Sequence, residues 1–338
     1  MKAIVYSKTG DTSVLKLADR DVPEPGPGQV RVRTVRAGVN PTDWKRRSAG
    51  DLPFEEVTPG QDAAGVVDAI GSGVTAHRPG DRVWVMLASH GSPYGTAAEY
   101  TVVDSERVFP LPDEISYEVG AALGVPAVTA HRALTVSETG PQRLSPGALN
   151  GKVVLVAGGA GAVGHAAIQL ARWAGATVIT TISSPEKAAL ATAAGAHHTV
   201  NYREGEPAKE IRALAPDGVD IIVEVSPGPN AQLNQAVAAN HATIAIYANN
   251  GGDTITLDVR PNMMVNTRVQ FLILYTLSEQ ALQAAGEDIT AALRDGALPV
   301  GEEHGLALHH YPLDRTADAH AAVEQGAVGK VLIDVAGQ

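Results

Sequence analysis

The segment Val153-Val154-Leu155-Val156-Ala157-Gly158-Gly159-Ala160-Gly161-Ala162-Val163-Gly164 constrains the fold of this chain more than any other. A short continuous apolar run meets a glycine cluster, and a helix-like stretch then reaches about Ala174. Glycines at 158, 161 and 164 meet three needs of a diphosphate site. They permit a tight turn, bring main-chain N–H groups near an anion at a helix N-terminus, and let the helix pack closely on the sheet. A glycine triplet alone says little in a chain with 35 glycines, so the reading rests on the strand before it and the helix after it. A tight β–α turn without a ligand is the bland alternative. A Walker loop needs Gly-Lys-Ser/Thr, and here Gly164 is followed by His165. Kinase motifs such as His-Arg-Asp and Asp-Phe-Gly are absent, as is a Tyr followed four residues later by Lys.

The next strand indicates which dinucleotide. Sites that prefer NAD place Asp or Glu at its end, about 20 residues on, to bind the ribose 2′-OH. This strand ends Thr180-Thr181-Ile182-Ser183-Ser184, with Lys187 one turn into the following helix. Hydroxyls and an ammonium attract a 2′-phosphate where a carboxylate would repel it, so the pattern predicts NADPH. Glu186 is the complication. It reads as a first-turn acid answering the helix macrodipole, behind a Ser184 N-cap and Pro185.

Residues 1 to about 120 read as β-rich. Val30, Val32 and Thr34 alternate with Arg31, Arg33 and Val35, and short runs follow at 64–70, 82–87 and 100–103. Turn clusters separate them, such as Gly71-Ser72-Gly73 and Pro79-Gly80-Asp81, which suggests a small barrel-like domain. From there on, apolar runs at 152–157, 177–182, 219–225, 242–248 and 269–275 alternate with helical stretches, the signature of a parallel sheet covered on both faces. One clear helix spans 279–294, and a strand over 330–335 rejoins the first domain. The expected domains are 1–124, a Rossmann domain over 125–270, and a return segment over 271–338. The stretch 137–150 is expected to be an exposed loop.

Composition excludes whole classes. The 338 residues include no cysteine, which removes disulfide scaffolds, iron–sulfur clusters and thiol nucleophiles. A net charge of -11 disfavours nucleic-acid partners. No apolar run approaches the roughly 20 residues of a membrane span, and the N-terminus reads as a strand, so a soluble cytoplasmic protein is expected.

Further motifs carry a resemblance: Ala37-Gly38-Val39-Asn40-Pro41-Thr42-Asp43, Pro59-Gly60-Gln61-Asp62-Ala63-Ala64-Gly65, Pro79-Gly80-Asp81-Arg82-Val83, Ala98-Glu99-Tyr100, Thr129-Ala130-His131-Arg132, Asn201-Tyr202-Arg203 and Gly329-Lys330-Val331. With the glycine loop, the chain resembles the quinone oxidoreductase (zeta-crystallin-like) branch of the medium-chain dehydrogenase/reductase superfamily nearly end to end. The resemblance implies an α/β protein: a GroES-like β-rich catalytic domain, split in sequence around a Rossmann doubly wound parallel sheet. Zinc-dependent relatives carry Cys where this chain has Asn40, and a His-Glu pair where it has Gln61-Asp62. Asn and Gln are poor zinc ligands, so no metal is expected. The pairs His197-His198 and His309-His310 read as loop or strand-end surface residues.

Cofactor positions follow from the resemblance one at a time. Gly158, Gly159, Ala160, Gly161, Ala162 and Val163 match the pyrophosphate loop. Ser183, Lys187 and Tyr202 match the 2′-phosphate pocket. Asn40 and Thr129 match positions near the nicotinamide. Tyr247 and Ala248 after the fifth strand, with Leu272, Ile273 and Leu274 on the sixth, match ribose and carboxamide contacts. Lys330 matches a position where the returning strand passes the cofactor, with a solvated lysine as the alternative.

The implied activity is NADPH-dependent hydride transfer to a quinone or similar electron-poor carbonyl compound, without zinc. Donors such as Asn40, Thr129 or Lys45 would stabilise the negative oxygen. Some relatives have a tyrosine in the stretch where this chain reads Trp44-Lys45-Arg46-Arg47, so the proton donor is supplied elsewhere, with Tyr94 as a candidate. Asp43 reads as a structural acceptor. The rival readings are an enoyl or alkenal double-bond reductase of the same superfamily, and a non-catalytic NADPH-binding sensor or structural protein. A homodimer is expected, with the sixth strand as the edge that pairs.

Overall fold

The computed structural model describes residues 1–336. They divide into two compact units: Met1–Val125 with the chain from Ala307 on, and Pro126–Leu306.

The first unit contains β1 (Lys2–Val5), β2 (Lys16–Asp19), β3 (Gln29–Val39), α1 (Pro41–Ser48), β4 (Asp62–Ile70), β5 (Arg82–Val85), β6 (Tyr100–Asp104) and β7 (Val108–Pro110). The helical segment α2 (Tyr117–Thr135) contains the boundary between the units. The second unit contains β8 (Val153–Ala157), α3 (Ala162–Trp173), β9 (Thr177–Ile182), α4 (Pro185–Ala193), β10 (His198–Asn201), α5 (Pro207–Leu214), β11 (Val219–Glu224), α6 (Pro227–Val237), β12 (Ala238–Ile246), α7 (Val259–Met264), β13 (Arg268–Phe271) and α8 (Glu279–Arg294). The first unit then resumes with β14 (Leu308–Pro312), α9 (Thr316–Glu324) and β15 (Lys330–Asp334).

In the first unit, one sheet runs β14-β15-β3-β4-β5-β7, with β6 also paired to β3. β3 organises it. Val30 and Val32 are fully buried between Arg31 and Arg33, and beyond Thr34 both faces of the strand are covered. Its inner valines pack with Ala63, Val67, Val83, Val85, Val103 and Val108. β15 pairs antiparallel with the end of β3, placing Leu332 beside Gly38 and Val331 beside Val39. This pairing carries Lys330, at the start of β15, to the end of β3.

The second unit is a six-stranded, all-parallel sheet in the order β10-β9-β8-β11-β12-β13. Its strands are continuous apolar runs because both faces are covered, with Leu155, Ile179, Ile222 and Ile244 among the core residues. The strand order reverses between β8 and β11, the crevice where open sheets of this kind bind ligands.

Four expectations need correction. The chain re-enters the first unit at Ala307, so 271–306 lies in the second unit and is not part of the return segment. The reason is α8. Its buried Asp288 accepts hydrogen bonds from His131 (2.8 Å), Arg143 Nε (2.8 Å) and the Leu144 main-chain N–H (2.7 Å), all within the second unit. Those bonds also hold the 137–150 stretch, which is irregular but buries Leu144 and Leu149. The sixth strand stops at Phe271, where its partner β12 ends at Ile246. Leu272 makes a last hydrogen bond to the Ile246 carbonyl and the chain turns, so Leu272, Ile273 and Leu274 follow the strand and are not part of it. His309 and His310 lie within β14.

Candidate active site

The glycine loop is shaped by contact distances. Gly158 has φ of 72°, a conformation that favours glycine. A Cβ on Gly159 would lie 2.2 Å from the Thr180 hydroxyl. One on Gly164 would lie 2.4 Å from the Gly158 carbonyl oxygen. A Cβ on Gly161 would meet only the Gly158 carbonyl, at 3.5 Å. The first and last glycines close the turn and seat α3 on β8, while Gly161 leaves space open. Gly161 is also the N-cap of α3 and offers its first turn no side-chain acceptor. Ser184 and Ser278 by contrast cap α4 and α8 with their hydroxyls. The uncapped N-terminus of a twelve-residue helix above an open glycine cradle fits a diphosphate.

At the end of β9, the Lys187 ammonium lies 3.2 Å from Ser183 Oγ. Ser184 Oγ accepts the Lys187 main-chain N–H, as expected for an N-cap. Glu186 is exposed, and its interaction with the Ser184 side chain holds its carboxyl below the usual carboxylate range. Tyr202, half exposed, follows β10 and donates its main-chain N–H to the Ile182 carbonyl. The end of β9 therefore presents the Ser183 and Ser184 hydroxyls beside the Lys187 ammonium. After β12, Tyr247 is tied to β11 through the Glu224 carbonyl, and burial next to the Glu224 carboxylate pushes its phenol upward. Ala248 follows it, half buried. Thr129 lies buried on α2, within the second unit.

In the first unit, a second cluster centres on Asn40, the N-cap of α1. The Asn40 main-chain N–H donates to Asp43 Oδ2 at 2.8 Å, one arm of a capping box. Asn40 Nδ2 donates to Asp62 Oδ2 at 2.6 Å, and Asn40 Oδ1 accepts from the Lys330 ammonium at 2.7 Å. Lys330 also reaches Asp62 at 3.4 Å. Asn40, Asp43, Asp62 and Lys330 are all buried. Burial and the neighbouring Asp62 carboxylate push Asp43 up to about 7. Burial pushes Asp62 up and Lys330 down. The solvated alternative for Lys330 is therefore wrong: it is 2% exposed and turned inward.

Asp62 has a further partner. Gly124 leaves helical geometry inside α2, Pro126 follows it, and the freed Val125 N–H donates to Asp62 Oδ1 at 2.8 Å. A Cβ on Gly124 would collide with that carboxylate at 2.0 Å. In the sequence Asp62 stands out only as the counterpart of a metal ligand in zinc-dependent relatives. Its one local signal is an acid heading the apolar strand Asp62-Ala63-Ala64-Gly65-Val66-Val67.

The other candidates lie outside this network. Lys45 is on the exposed side of α1, with its ammonium 6.0 Å from the Trp44 ring centre. Tyr94 is half exposed on the loop between β5 and β6. Among the described residues no group of three or more His, Cys, Asp or Glu side chains is placed to hold a metal ion. No helix among them is long and apolar enough to cross a membrane.

Comparison with known proteins bears on both units. Residues 26–113 match the family model described as the alcohol dehydrogenase GroES-like domain. Residues 162–290 match the one described as zinc-binding dehydrogenase. A quinone oxidoreductase of Lama guanicoe is 32% identical over 339 aligned positions, covering 98% of this chain and 97% of that protein. The quinone oxidoreductase of Pseudomonas syringae pv. tomato superposes with a TM-score of 0.82 at 28% identity, over 99% of each chain. A mycobacterial structure solved in complex with NADPH superposes with a TM-score of 0.81 at 28% identity, over 99% of this chain and 100% of that one.

Proposed function

The chain belongs to the quinone oxidoreductase branch of the medium-chain dehydrogenase/reductase family and is an oxidoreductase, and from that premise we propose that it uses NADPH to reduce quinones or closely related electron-poor carbonyl compounds. The observation that carries the cofactor choice is the Ser183–Lys187 pair at the end of β9, with Glu186 engaged at Ser184. The acceptor class is supported by the relatives, among them the Lama guanicoe quinone oxidoreductase.

In this reading the main-chain amides from Gly158 to Val163 hold the diphosphate, with Ala160 and Ala162 small enough to let it approach. Ser183, Lys187 and Tyr202 hold the 2′-phosphate. Tyr247, Ala248, Leu272, Ile273 and Leu274 line the ribose and carboxamide side, and Thr129 sits by the nicotinamide. When bound, the reduced nicotinamide supplies the hydride. The quinone takes up that hydride and one proton to become the hydroquinone. The negative oxygen formed on the way needs an oriented donor in a dry setting, and Asn40 is the donor we assign to it. Lys45 and Tyr94 remain our candidates for delivering the proton from the solvent side.

The test is oxidation of NADPH and of NADH with a benzoquinone, a naphthoquinone and a crotonyl-type enone. We expect quinone turnover with NADPH preferred. Turnover of the enone alone would replace the acceptor assignment, and binding without turnover of any acceptor would replace catalysis by a sensing role.

We also propose a homodimer formed through β13. Among the described residues this strand pairs with β12 alone, and Phe271 and Ile273, at its end and just beyond, are 63% and 57% exposed. An unprotected apolar edge strand invites pairing with a second copy. Phe271→Lys together with Ile273→Lys is expected to give a monomer in light scattering. A wild-type chain that is already monomeric would reject this assembly.

A further inference from the structure

We infer that Lys330 is a positioning residue: it fixes and polarises the Asn40 amide, so that Asn40 offers one oriented N–H to the acceptor oxygen, and it contacts no part of the cofactor. This inference rests on the reduction proposed above and names how its donor is prepared.

The hydrogen-bond inventory sets the orientation. An ammonium can only donate and a carboxylate can only accept. Lys330 therefore faces Oδ1 of Asn40, and Asp62 faces Nδ2, with no second arrangement of the amide available. A primary amide has two N–H donors and two lone pairs. One of each is committed, and the main-chain N–H is committed to Asp43. Among the described contacts a single side-chain N–H of Asn40 remains, oriented by two charged neighbours.

The distances separate this role from simple charge neutralisation. A lysine serving only to balance Asp62 would make its closest contact with that carboxylate. Instead Nζ lies 2.7 Å from the amide oxygen and 3.4 Å from Asp62. The cation on the amide oxygen draws density toward that oxygen and strengthens the amide N–H as a donor, while the carboxylate fixes which N–H is committed. Burial keeps water from competing, since Asn40 and Lys330 are each 2% exposed.

The fold makes room for this arrangement. A Cβ on Gly38 would stand 2.9 Å from Lys330 Cε, so the lysine stem passes over a strand position that has no side chain. The ammonium is led to the amide. Phosphate recognition is supplied in the other unit, by Ser183 and Lys187.

Lys330→Met keeps the stem and removes the charge. Two readouts apply. The first is the side-chain amide resonance of Asn40 in the cofactor-free protein, assigned by its loss in Asn40→Ser. The second is the split between kcat and KM. We expect the resonance to move and kcat with a quinone to fall about 30-fold, short of the hundredfold or more that follows loss of a whole oxyanion donor. The KM for NADPH should change by less than about threefold, since uniform binding is untouched. A raised NADPH KM with unchanged kcat would make Lys330 a cofactor ligand and overturn the inference, as would an unmoved resonance. If the single variant fails to fold, Lys330→Met with Asp62→Asn removes both charges together, and wild-type kcat in that folded variant would also overturn it. Should the wild-type chain turn over no quinone, the fault lies with the proposed reaction, and the resonance alone decides this point.

Discussion

Gly164→Ala is expected to abolish measurable NADPH binding and to destabilise the second unit by about 3 kcal/mol, the upper range for overpacking a tight contact. The new methyl would stand 2.4 Å from the Gly158 carbonyl oxygen and 2.9 Å from Gly159 Cα. Both are main-chain atoms, so no rotamer change relieves the clash. Either α3 lifts from β8 or the turn opens, and each movement carries the helix N-terminus away from the diphosphate. Gly161→Ala is the informative control. Its methyl meets only one atom, at 3.5 Å, and Gly161 has an extended conformation that alanine adopts freely. Its unfolding free energy should stay within about 1 kcal/mol of wild type, the usual scale of an N-cap change. NADPH affinity should still fall, because the methyl occupies the open side of the cradle. Urea unfolding and calorimetric titration of both variants give the check. If Gly164→Ala binds NADPH as tightly as wild type, the loop is a β–α turn and nothing more.

The difference between these two glycines also shows what a sequence can convey. Both occupy positions in one spacing pattern, and the pattern places the strand, the turn and the helix because each depends on near neighbours. The same is true of β9, whose bounds the apolar run from Thr177 to Ile182 gives directly, and of α8, whose Ser278 cap and apolar period define Glu279–Arg294. What a partner far along the chain does is not written locally. α8 was legible as a helix, but its place in the second unit depends on Asp288 meeting His131 and Arg143, 157 and 145 residues away. The sixth strand reads on to Tyr275 as an apolar run, but a strand lasts only as long as its partner, and β12 ends at Ile246.

The candidate site divides along the same line. The residues proposed to hold the phosphates lie on three consecutive β–α connections, so their types and spacing announce them. The Asn40 cluster joins residues 22 and 290 positions apart, through a sheet pairing that no local pattern specifies. Lys330 in isolation is a lysine opening an amphipathic strand, which is why a solvated side chain was a reasonable expectation. Asp62 was visible only against zinc-dependent relatives. Its structural work is to hold the Val125 N–H released at the Gly124 kink; Gly124 and Pro126 announce a break in α2, but no local pattern names a partner 63 residues away.

The most selective effect is expected for Lys187→Asp. NADPH affinity should fall about 100-fold, equivalent to about 2.7 kcal/mol, while NADH affinity changes less than about threefold. The ammonium is held over Ser183, at the position where a 2′-phosphate would accept from both groups. Its removal takes away a charge-assisted contact, typically about 1.5–3 kcal/mol, and the new carboxylate adds repulsion against a doubly charged group. NADH has a 2′-hydroxyl there, which a carboxylate can accept, so its binding is spared. Lys187→Ala separates the two contributions, with an expected loss of about tenfold for NADPH if the contact is worth about 1.4 kcal/mol. The side chain is only half buried, so raising the salt concentration should shrink the wild-type preference for NADPH, as screening acts on partly exposed charges. Glu186 gives the internal check. Its carboxyl is bonded to the Ser184 hydroxyl at the start of α4, so Glu186→Gln should leave the ratio of NADPH to NADH affinity where it was. Parallel titrations with both reduced cofactors settle the matter. Equal losses for NADPH and NADH in Lys187→Asp would place the lysine outside the pocket, and a large shift in Glu186→Gln would mean that the acid reaches the ribose after all.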